Sequence, residues 1–360
     1  MNRGAAPPPR PSSPLPRAWR WAGPPLAAGF AAAAGLRRLA FAAGLLRVER
    51  APLPVFSVGN LAAGGTGKSP AARYLAEGLL ARGLARKVAI LARGYAAPAG
   101  ERSDELRESE QLSPTVVFIQ DPDRVAAASE ARARGCDAAV LDDGFQHRRL
   151  ARQLDWVLLD ATDPWGGGHL LPWGFLREGP TALARAGAVA LTRCDLASAE
   201  DLAALAARVA ESAPRAVLVH ARHAPTSAER LWVPEAPRPP ESLRGRRVFA
   251  ACGLGNPHGF LGTLERLGAV LAGARLFPDH HAYSAADVDA LAEAARARGA
   301  ECVAVTGKDA VKIQDLAPKG PERLPEFLVL RIRFEVCRNE DLLWERVGEA
   351  LRGYSGKFLD

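Results

Sequence analysis

Residues 62–69 form the glycine-rich stretch Ala62-Ala63-Gly64-Gly65-Thr66-Gly67-Lys68-Ser69. It directly follows the apolar run Val55-Phe56-Ser57-Val58 and precedes a segment of helical composition, residues 70–82. A strand, a glycine-rich loop and a helix in this order predict a phosphate-binding loop, in which backbone N–H groups and a helix N-terminus surround an anion. Lys68 then reaches the β- and γ-phosphates, and Ser69 holds Mg²⁺. Because Ala62 stands where the full pattern has glycine, an ordinary tight loop is the alternative.

The charge of the chain is concentrated at its N-terminus. The 360 residues are 48% hydrophobic and 24% charged, with a formal net charge of +7. Residues 1–50 hold eight of the 47 basic and one of the 40 acidic residues, so the remaining 39 of each cancel. A neutral body excludes a broad nucleic-acid-binding face, and no nucleic-acid or obligate protein partner is expected. The length predicts two domains.

The N-terminal 50 residues predict a disordered basic start, residues 1–16, followed by an amphipathic helix. The uncharged stretch from Trp21 to Leu36 is too short to span a bilayer, and Pro24-Pro25 is expected to interrupt it. We interpret the segment as an interfacial helix whose arginines meet an anionic membrane surface. An alanine-rich helix packed on the body is the alternative. A signal peptide is disfavoured because a nucleotide loop follows at once.

Apolar runs that alternate with alanine-rich segments predict an α/β fold: a parallel sheet with helices on both faces, typical of P-loop NTPases. The predicted strands are 54–58, 87–91, 115–119, 137–141, 155–159, 187–191 and 215–219. A smaller second α/β series contains strands at 247–252, 301–305 and 327–336 and ends in a helix at 339–352. The predicted units are 1–50, a kinase-like domain 51–225, a linker 226–246, a smaller domain 247–337 and a C-terminal tail 338–360.

Two carboxylates follow a predicted buried strand, in the sequence Asp142-Asp143-Gly144-Phe145-Gln146-His147. Ligands bind at the carboxyl edge of a parallel sheet, and an aspartate there binds Mg²⁺ in P-loop enzymes. We therefore predict a metal site of Ser69 with Asp142 or Asp143. A turn at Asp-Asp-Gly is the alternative. A later loop, residues 166–178, combines glycines, apolar residues and Arg177-Glu178, which suits contact with a substrate.

The five cysteines are scattered along the chain, at positions 136, 194, 252, 302 and 337. Several lie in or beside apolar runs, which predicts buried, reduced thiols in a cytoplasmic protein. The spacing of cysteine and histidine indicates no metal cluster.

Several motifs, in order along residues 54–312, resemble those of the tetraacyldisaccharide 4′-kinase family, the lipid A kinases. The motifs are Val58-Gly59-Asn60-Leu61 before the glycine loop, Arg93-Gly94-Tyr95, Asp142 to His147, Leu171-Pro172 with Leu176-Arg177-Glu178, Phe277-Pro278-Asp279-His280, and Thr306 to Lys312. Ala62 fits this resemblance, since the family commonly lacks that glycine. The resemblance implies a kinase that phosphorylates the 4′-hydroxyl of a tetraacylated glucosamine disaccharide 1-phosphate in lipid A biosynthesis, with ATP and Mg²⁺, as a peripheral protein at the cytoplasmic face of a bacterial inner membrane.

The resemblance also implies roles for individual residues. Asp104, in Ser103-Asp104-Glu105-Leu106, matches the family's general base, although the family has Gly-Asp-Glu-Pro there. One more charge in a solvated run from Glu101 to Glu110 is the alternative for Asp104. His280 matches the histidine that assists the base. Lys68 acts on the transferred phosphate, and the substrate-contacting residues are Arg177, Glu178 and His147.

A P-loop ATPase or GTPase switch of the partitioning or metallochaperone type is the alternative function. Partitioning ATPases carry a lysine where this chain has Ala63. GTPases read the base with Asn-Lys-x-Asp, and Thr192-Arg193-Cys194-Asp195 occupies the comparable position without Asn-Lys. Both differences favour the kinase. A tethered scaffold with an inactive nucleotide site is disfavoured by Lys68 and Ser69.

Overall fold

The structure, a computed structural model, describes residues 17–94, 114–233, 235–279, 281–316 and 325–354, with the backbone alone at 17–22. The predicted disorder of residues 1–16 therefore lies outside the described residues. The helices are α1 (Arg17–Ala42), α2 (Lys68–Ala81), α3 (Arg124–Ala133), α4 (Ala199–Ser212), α5 (Pro257–Arg266), α6 (Ala285–Ala297), α7 (Gly307–Ile313) and α8 (Glu340–Arg352).

The described strands form one 11-stranded sheet in the order β3-β2-β4-β1-β5-β6-β7-β11-β10-β8-β9. Every neighbouring pair is parallel except β7 and β11, which are antiparallel. The strands are β1 (Val55–Asn60), β2 (Val88–Ala92), β3 (Val116–Gln120), β4 (Ala138–Asp142), β5 (Leu154–Asp160), β6 (Ala188–Thr192), β7 (Val217–Arg230), β8 (Arg247–Cys252), β9 (Val270–Leu276), β10 (Cys302–Thr306) and β11 (Glu326–Arg338). The predicted mostly parallel sheet is thus confirmed.

The sheet has a first part, strands β1 to β7, and a second part, strands β8 to β11. Helices cover both faces of the first part because alternate residues of each buried strand point to opposite sides. On one face, Phe56 and Trp156 pack against α2 and α8. On the other face, Leu141 packs against α3, while Val157 packs against α4. The second part of the sheet has the same arrangement, with α6 and α7 on one face and α5 on the other.

The long β7 and β11 join the two parallel parts of the sheet. Their pairing runs from His220 opposite Arg338 to Arg230 opposite Leu328, with irregularities that bend the ladder. The segment predicted as a linker, 226–246, begins inside β7 and continues into a short 3₁₀ helix at Pro240–Leu243. This part of β7 is not predicted because the Pro- and Arg-rich composition is typical of a linker. The predicted domain boundaries stay predictions.

Helix α1 runs through Pro24 and Pro25, so the expectation that these prolines interrupt it is wrong. A proline has a φ near the helical value, so the helix can continue through it, at the cost of a lost N–H donor and of crowding against the carbonyl four residues earlier. Within the part of the chain that the structure describes, no helix combines the length and apolar character needed to cross a bilayer.

The contact between α2 and α8 gives a test of this packing. Gly78 of α2 lies against the ring of Trp344, and a Cβ at that position would collide with the ring. We expect Gly78→Ala to lower the free energy of unfolding by about 1–3 kcal/mol in urea denaturation. The matched control is Gly348→Ala in α8, where the nearest atom to a Cβ is the end of Arg352 at 3.5 Å. Equal effects of the two changes would contradict this packing.

Candidate active site

The glycine-rich loop precedes α2 and depends on two glycines with positive φ. Gly64 has φ 122° and Gly67, at the N-cap of α2, has φ 89°, values that side chains disfavour. Gly67 is needed for a second reason, since a Cβ there would collide with the buried ring of His223. Lys68 Nζ donates to the Gly64 carbonyl at 3.2 Å, so the lysine reaches back over the loop. The loop has the backbone form that anion binding requires.

Two adjacent carboxylates at the end of β4 face this loop, and their surroundings differ. Asp142 is buried and hydrogen-bonded to Ser69, and burial raises its pKa. Its Oδ1 is buried without a hydrogen-bond partner. Burial also acts to raise the pKa of Asp143, but the charges of Lys68 and Arg177 outweigh it and hold that pKa below its usual range. Asp143 is therefore an ion-paired carboxylate, whereas Asp142 has an unused oxygen beside a hydroxyl.

The loop at residues 166–178 is paired directly with the start of the glycine loop. Ala63 N donates to Phe175 O at 2.7 Å, and Arg177 N donates to Leu61 O at 2.7 Å. This pairing carries Arg177 into the site, where its Nη1 contacts both carboxylate oxygens of Asp143 at 2.8 Å. Arg177 is thus fixed beside the carboxylates.

Glu178 points away from the cavity toward a second arginine. Its two oxygens accept from Arg185 at 2.9 Å each, and Oε1 accepts from Gln146 Nε2 at 3.2 Å. Gln146 in turn donates to Asn60 O at 2.9 Å. Glu178 therefore orients Gln146 from behind, and a direct contact with substrate stays a prediction.

His147 lies on the cavity wall close to α1. Burial, together with the charges of Arg124, Arg152 and other arginines, lowers its pKa to about 4. The ring is neutral at pH 7, and its buried Nε2 has no hydrogen-bond partner. Arg37 of α1 reaches the same wall and donates to Gln146 O at 3.2 Å. The first helix is thus in contact with the loop that carries the carboxylates.

The second part of the sheet closes over the glycine loop through residues 253–256. Gly255 packs on the loop so closely that its Cβ would lie 2.8 Å from Gly64 Cα and from Gly65 N. Next to it, Asn256 Nδ2 donates to Asp160 Oδ2 at 2.7 Å. Arg193 pairs with the same carboxylate and donates to Gly65 O at 2.7 Å. The three buried side chains of this junction, Asp160, Arg193 and Asn256, therefore hold the loop from both parts of the sheet.

The far wall of the cavity comes from the carboxyl ends of β9 and β10. Lys308 Nζ contacts Asp279 Oδ1 at 2.8 Å, and both residues line the cavity. The buried Asp309 accepts from Tyr283 Oη at 3.0 Å and from Gly253 N at 3.1 Å. These contacts connect residues 253–256 with the segment that carries Asp279. Together the walls enclose about 1200 Å³.

The structure brings most of the predicted site residues to this one cavity: Ala63, Gly64, Gly65, Thr66, Gly67, Lys68, Ser69, Asp142, Asp143, His147 and Arg177. Ala62 lies behind the lining, where it is bridged to Leu176. Asp104 and His280 lie outside the described residues, although Asp279, which precedes His280, is on the wall. The described residues contain no group of three or more metal-ligating His, Cys, Asp or Glu side chains.

Sequence reasoning missed the residues that reach the loop from distant positions, namely Asp160, Arg193, His223 and Asn256. The sequence indicates Arg193 only as part of the segment that corresponds to the base reader of GTPases. Its guanidinium instead contacts Asp160 and Gly65, so it holds the loop. The position of Asp160, at the carboxyl end of a buried strand, was the one signal that could have found this junction.

Comparison with known proteins identifies the family. The model of the tetraacyldisaccharide-1-P 4′-kinase family matches residues 19–352. The chain belongs to this family. A tetraacyldisaccharide 4′-kinase of Anaeromyxobacter dehalogenans (strain 2CP-C) is 47% identical over 88% of this chain and 86% of its own length. The corresponding enzyme of Geobacter metallireducens is 38% identical over 80% of this chain and 87% of its own.

A solved structure supports the same assignment. The LpxK of Aquifex aeolicus, crystallised in complex with ATP, superposes with a TM-score of 0.65 at 26% identity. The match covers 92% of this chain and 99% of that one. The family, with its lipid A 4′-kinase activity, is thus supported by sequence and by fold.

The buried His223 predicts that the fold loses stability in acid. Burial lowers the pKa of His223 to about 3, below the value of about 6.5 in the unfolded chain. The unfolded state therefore takes up the proton first, and stability is lost as pH falls from 6.5 toward 3. We expect His223→Asn to make the free energy of unfolding less steep between pH 6 and pH 4, by up to about 1.4 kcal/mol per pH unit.

Urea denaturation at several pH values measures this slope. Changing the exposed His169 to glutamine is the matched control. A slope in His223→Asn that equals the wild-type slope would show that His223 does not stay neutral in the folded protein.

Proposed function

We propose that this protein transfers the γ-phosphate of ATP to the 4′-hydroxyl of a tetraacylated glucosamine disaccharide 1-phosphate. The observation that carries the proposal is one cavity that joins a glycine loop, Lys68 and the Asp142–Asp143 pair to a wall from the second part of the sheet. Phosphoryl transfer needs positioning and charge neutralisation more than covalent chemistry, and these groups supply both. The family of the chain gives the acceptor its identity.

The triphosphate binds along residues 63–69 in this proposal. Backbone N–H groups at the N-terminus of α2 surround the β-phosphate, and Lys68 turns from Gly64 toward the β- and γ-oxygens. The rearrangement is small, because Lys68 Nζ already lies 3.9 Å from Asp143 on the cavity side. Arg177 adds a second positive charge beside the transferred phosphoryl group.

Asp142 and Ser69 fit a hard divalent cation. The buried Oδ1 of Asp142 has no partner, and the Ser69 hydroxyl is bonded to the same carboxylate. One carboxylate and one hydroxyl are a sufficient protein contribution for Mg²⁺, which keeps waters and phosphate oxygens as its other ligands. Mg²⁺ bound here would neutralise charge on the β- and γ-phosphates. We assign Asp142 as the direct ligand, because Asp143 is held by Arg177 and Lys68.

The acceptor hydroxyl must lose its proton as it attacks the phosphorus atom. Asp104 is the proposed base, and His280 the proposed partner that keeps it basic. His147 and Arg177 are proposed to contact the sugar, since both line the cavity near the carboxylates. The neutral His147 ring can exchange a hydrogen bond with a sugar hydroxyl without adding charge.

Helix α1 is proposed to bring the protein to an anionic membrane surface at the cytoplasmic face of the inner membrane. One side of the helix is docked on the site, where Arg148 lies 5.5 Å from the Phe41 ring and Arg37 contacts Gln146. Leu36 and Leu39 stay exposed, at 67% and 63%. Exposed leucines beside arginines suit the headgroup region, next to which an acylated substrate would enter the cavity.

Lys68→Ala tests the phosphate loop. We expect kcat/KM for transfer of labelled γ-phosphate to the disaccharide 1-phosphate to fall about a hundredfold to a thousandfold, because the positive charge on the transferred group is lost. Lys87→Ala is the matched control, since Lys87 directly precedes β2, at the opposite end of the strands from the glycine loop, where its Nζ donates to Arg134 O at 2.7 Å. Near-normal transfer by Lys68→Ala would refute the assignment. ATP hydrolysis without transfer in the wild type would instead favour the switch-type ATPase.

A double change, Leu36→Asp with Leu39→Asp, tests the membrane role of α1. We expect co-sedimentation with vesicles that contain phosphatidylglycerol to fall severalfold, because two charges enter the apolar side of the helix. Activity on detergent-dispersed substrate should persist. The control is Leu342→Asp on α8, a leucine that is also exposed. Unchanged sedimentation of the double variant would rule out an interfacial α1.

A further inference from the structure

Two of the five cysteines differ from the buried thiols that the sequence predicted. Cys136, Cys252 and Cys302 are buried, whereas Cys194 is partly exposed and Cys337 is exposed. Cys194 follows β6, and Cys337 lies near the end of β11, 143 residues away. Their Sγ atoms are nevertheless only 3.3 Å apart. The prediction of buried thiols is therefore wrong for Cys337, and the fold has assembled a surface dithiol.

We propose that Cys194 and Cys337 are a reversible disulfide site that couples the redox state of the protein to its phosphate loop. The two sulfurs lie in contact, and a disulfide requires about 2.05 Å between them, a distance that side-chain rotation with a small loop movement can reach. Exposure of Cys337 gives an oxidant access to the pair. Thiol pairs that oxidise in reducing compartments are usually transient and regulatory.

The reaction is thiol–disulfide exchange with a low-molecular-weight disulfide. The exposed Cys337, as thiolate, attacks one sulfur of the oxidant and releases one thiolate, which leaves a mixed disulfide on Cys337. The Cys194 thiolate then attacks Cys337 Sγ, forms the protein disulfide and releases the second thiolate. The two protein thiols lose two electrons to the oxidant disulfide, and their two protons end on the two released thiols. Burial and the neighbouring sulfur raise the pKa of Cys194 to about 12, so this thiol is mostly protonated and the first attack falls to the exposed Cys337.

The pair is placed to act on the glycine loop. Cys194 directly follows Arg193, whose guanidinium donates to Gly65 O at 2.7 Å and pairs with Asp160. The backbone N–H of Cys194 donates to Ala221 O on β7 at 3.1 Å. Formation of the disulfide draws Cys194 toward β11 and, through the adjoining peptide, moves Arg193. The loop loses part of its support when Arg193 moves.

The other end of the bridge is equally connected. Cys337 Sγ contacts His220 O on β7 at 3.4 Å, and two residues later Asn339 Nδ2 donates to Leu218 O at 2.8 Å. Asn339 is the N-cap of α8, whose Glu340 accepts from Tyr74 Oη of α2 at 2.6 Å. The strand end at Cys337 is thus fixed, so that the loop at Cys194 is the side that moves.

The test is to incubate the full-length protein with oxidised glutathione under native conditions. We expect intact mass to fall by two hydrogen atoms, peptide mapping to find Cys194 joined to Cys337, and dithiothreitol to reverse both changes. The oxidised protein should bind a fluorescent ATP analogue severalfold more weakly than the reduced protein. Mapping of the disulfide needs no kinase activity, so its result is independent of the proposed function.

Cys337→Ser is the control, since the substitution is at the surface and outside the cavity lining. It should keep the affinity of the reduced wild type and be insensitive to oxidised glutathione. A stable glutathione adduct without the cross-link, or two thiols that remain free, would overturn the disulfide. A disulfide that forms with no change in nucleotide affinity would overturn its coupling to the loop.

Discussion

The close approach of Gly255 to Gly64 is the constraint on which the site depends. Two loops from different parts of one sheet meet with almost no space for side chains, and both positions are glycine. Such contact carries a desolvation cost for the nearby polar groups, which the junction of Asp160, Arg193 and Asn256 offsets with buried hydrogen bonds. Burial alone would raise the pKa of Asp160, but the charge of Arg193 holds it below its usual range, so the junction stays ionised. The phosphate loop is therefore held in shape from outside itself.

The two adjacent carboxylates at the end of β4 have different surroundings and therefore different roles. Asp142 and Asp143 are adjacent in sequence, yet β4 ends between them, and Asp143 adopts a φ of 55°. One carboxylate is left buried beside Ser69, and the other is neutralised by Lys68 and Arg177. Glu178 and Arg185 support Gln146 from behind in the same way. The Asp143 and Glu178 carboxylates are thus both ion-paired before any ligand arrives.

Most strands of the sheet, and the site motifs at their ends, could be predicted from the sequence. Strands buried on both faces, such as Val55–Asn60 and Ala138–Asp142, are continuous apolar runs. The site motifs directly follow those strands. Val270–Leu276 was missed since it is a largely exposed edge strand without such a run. The second half of β7 was missed because its polar composition resembles a linker. The order of the strands across the sheet brings distant residues to the loop, namely Arg193, His223 and Asn256. Local sequence patterns do not encode this order.

The most direct measurement is a crystal structure with a non-hydrolysable ATP analogue and Mg²⁺. We expect the β- and γ-phosphates within hydrogen-bonding distance of the N–H groups of residues 64–69 and of Lys68 Nζ. We expect the metal on Ser69 and Asp142, with Asp143 still paired to Arg177. A triphosphate bound away from the glycine loop, or a metal that contacts neither Ser69 nor Asp142, would contradict this assignment.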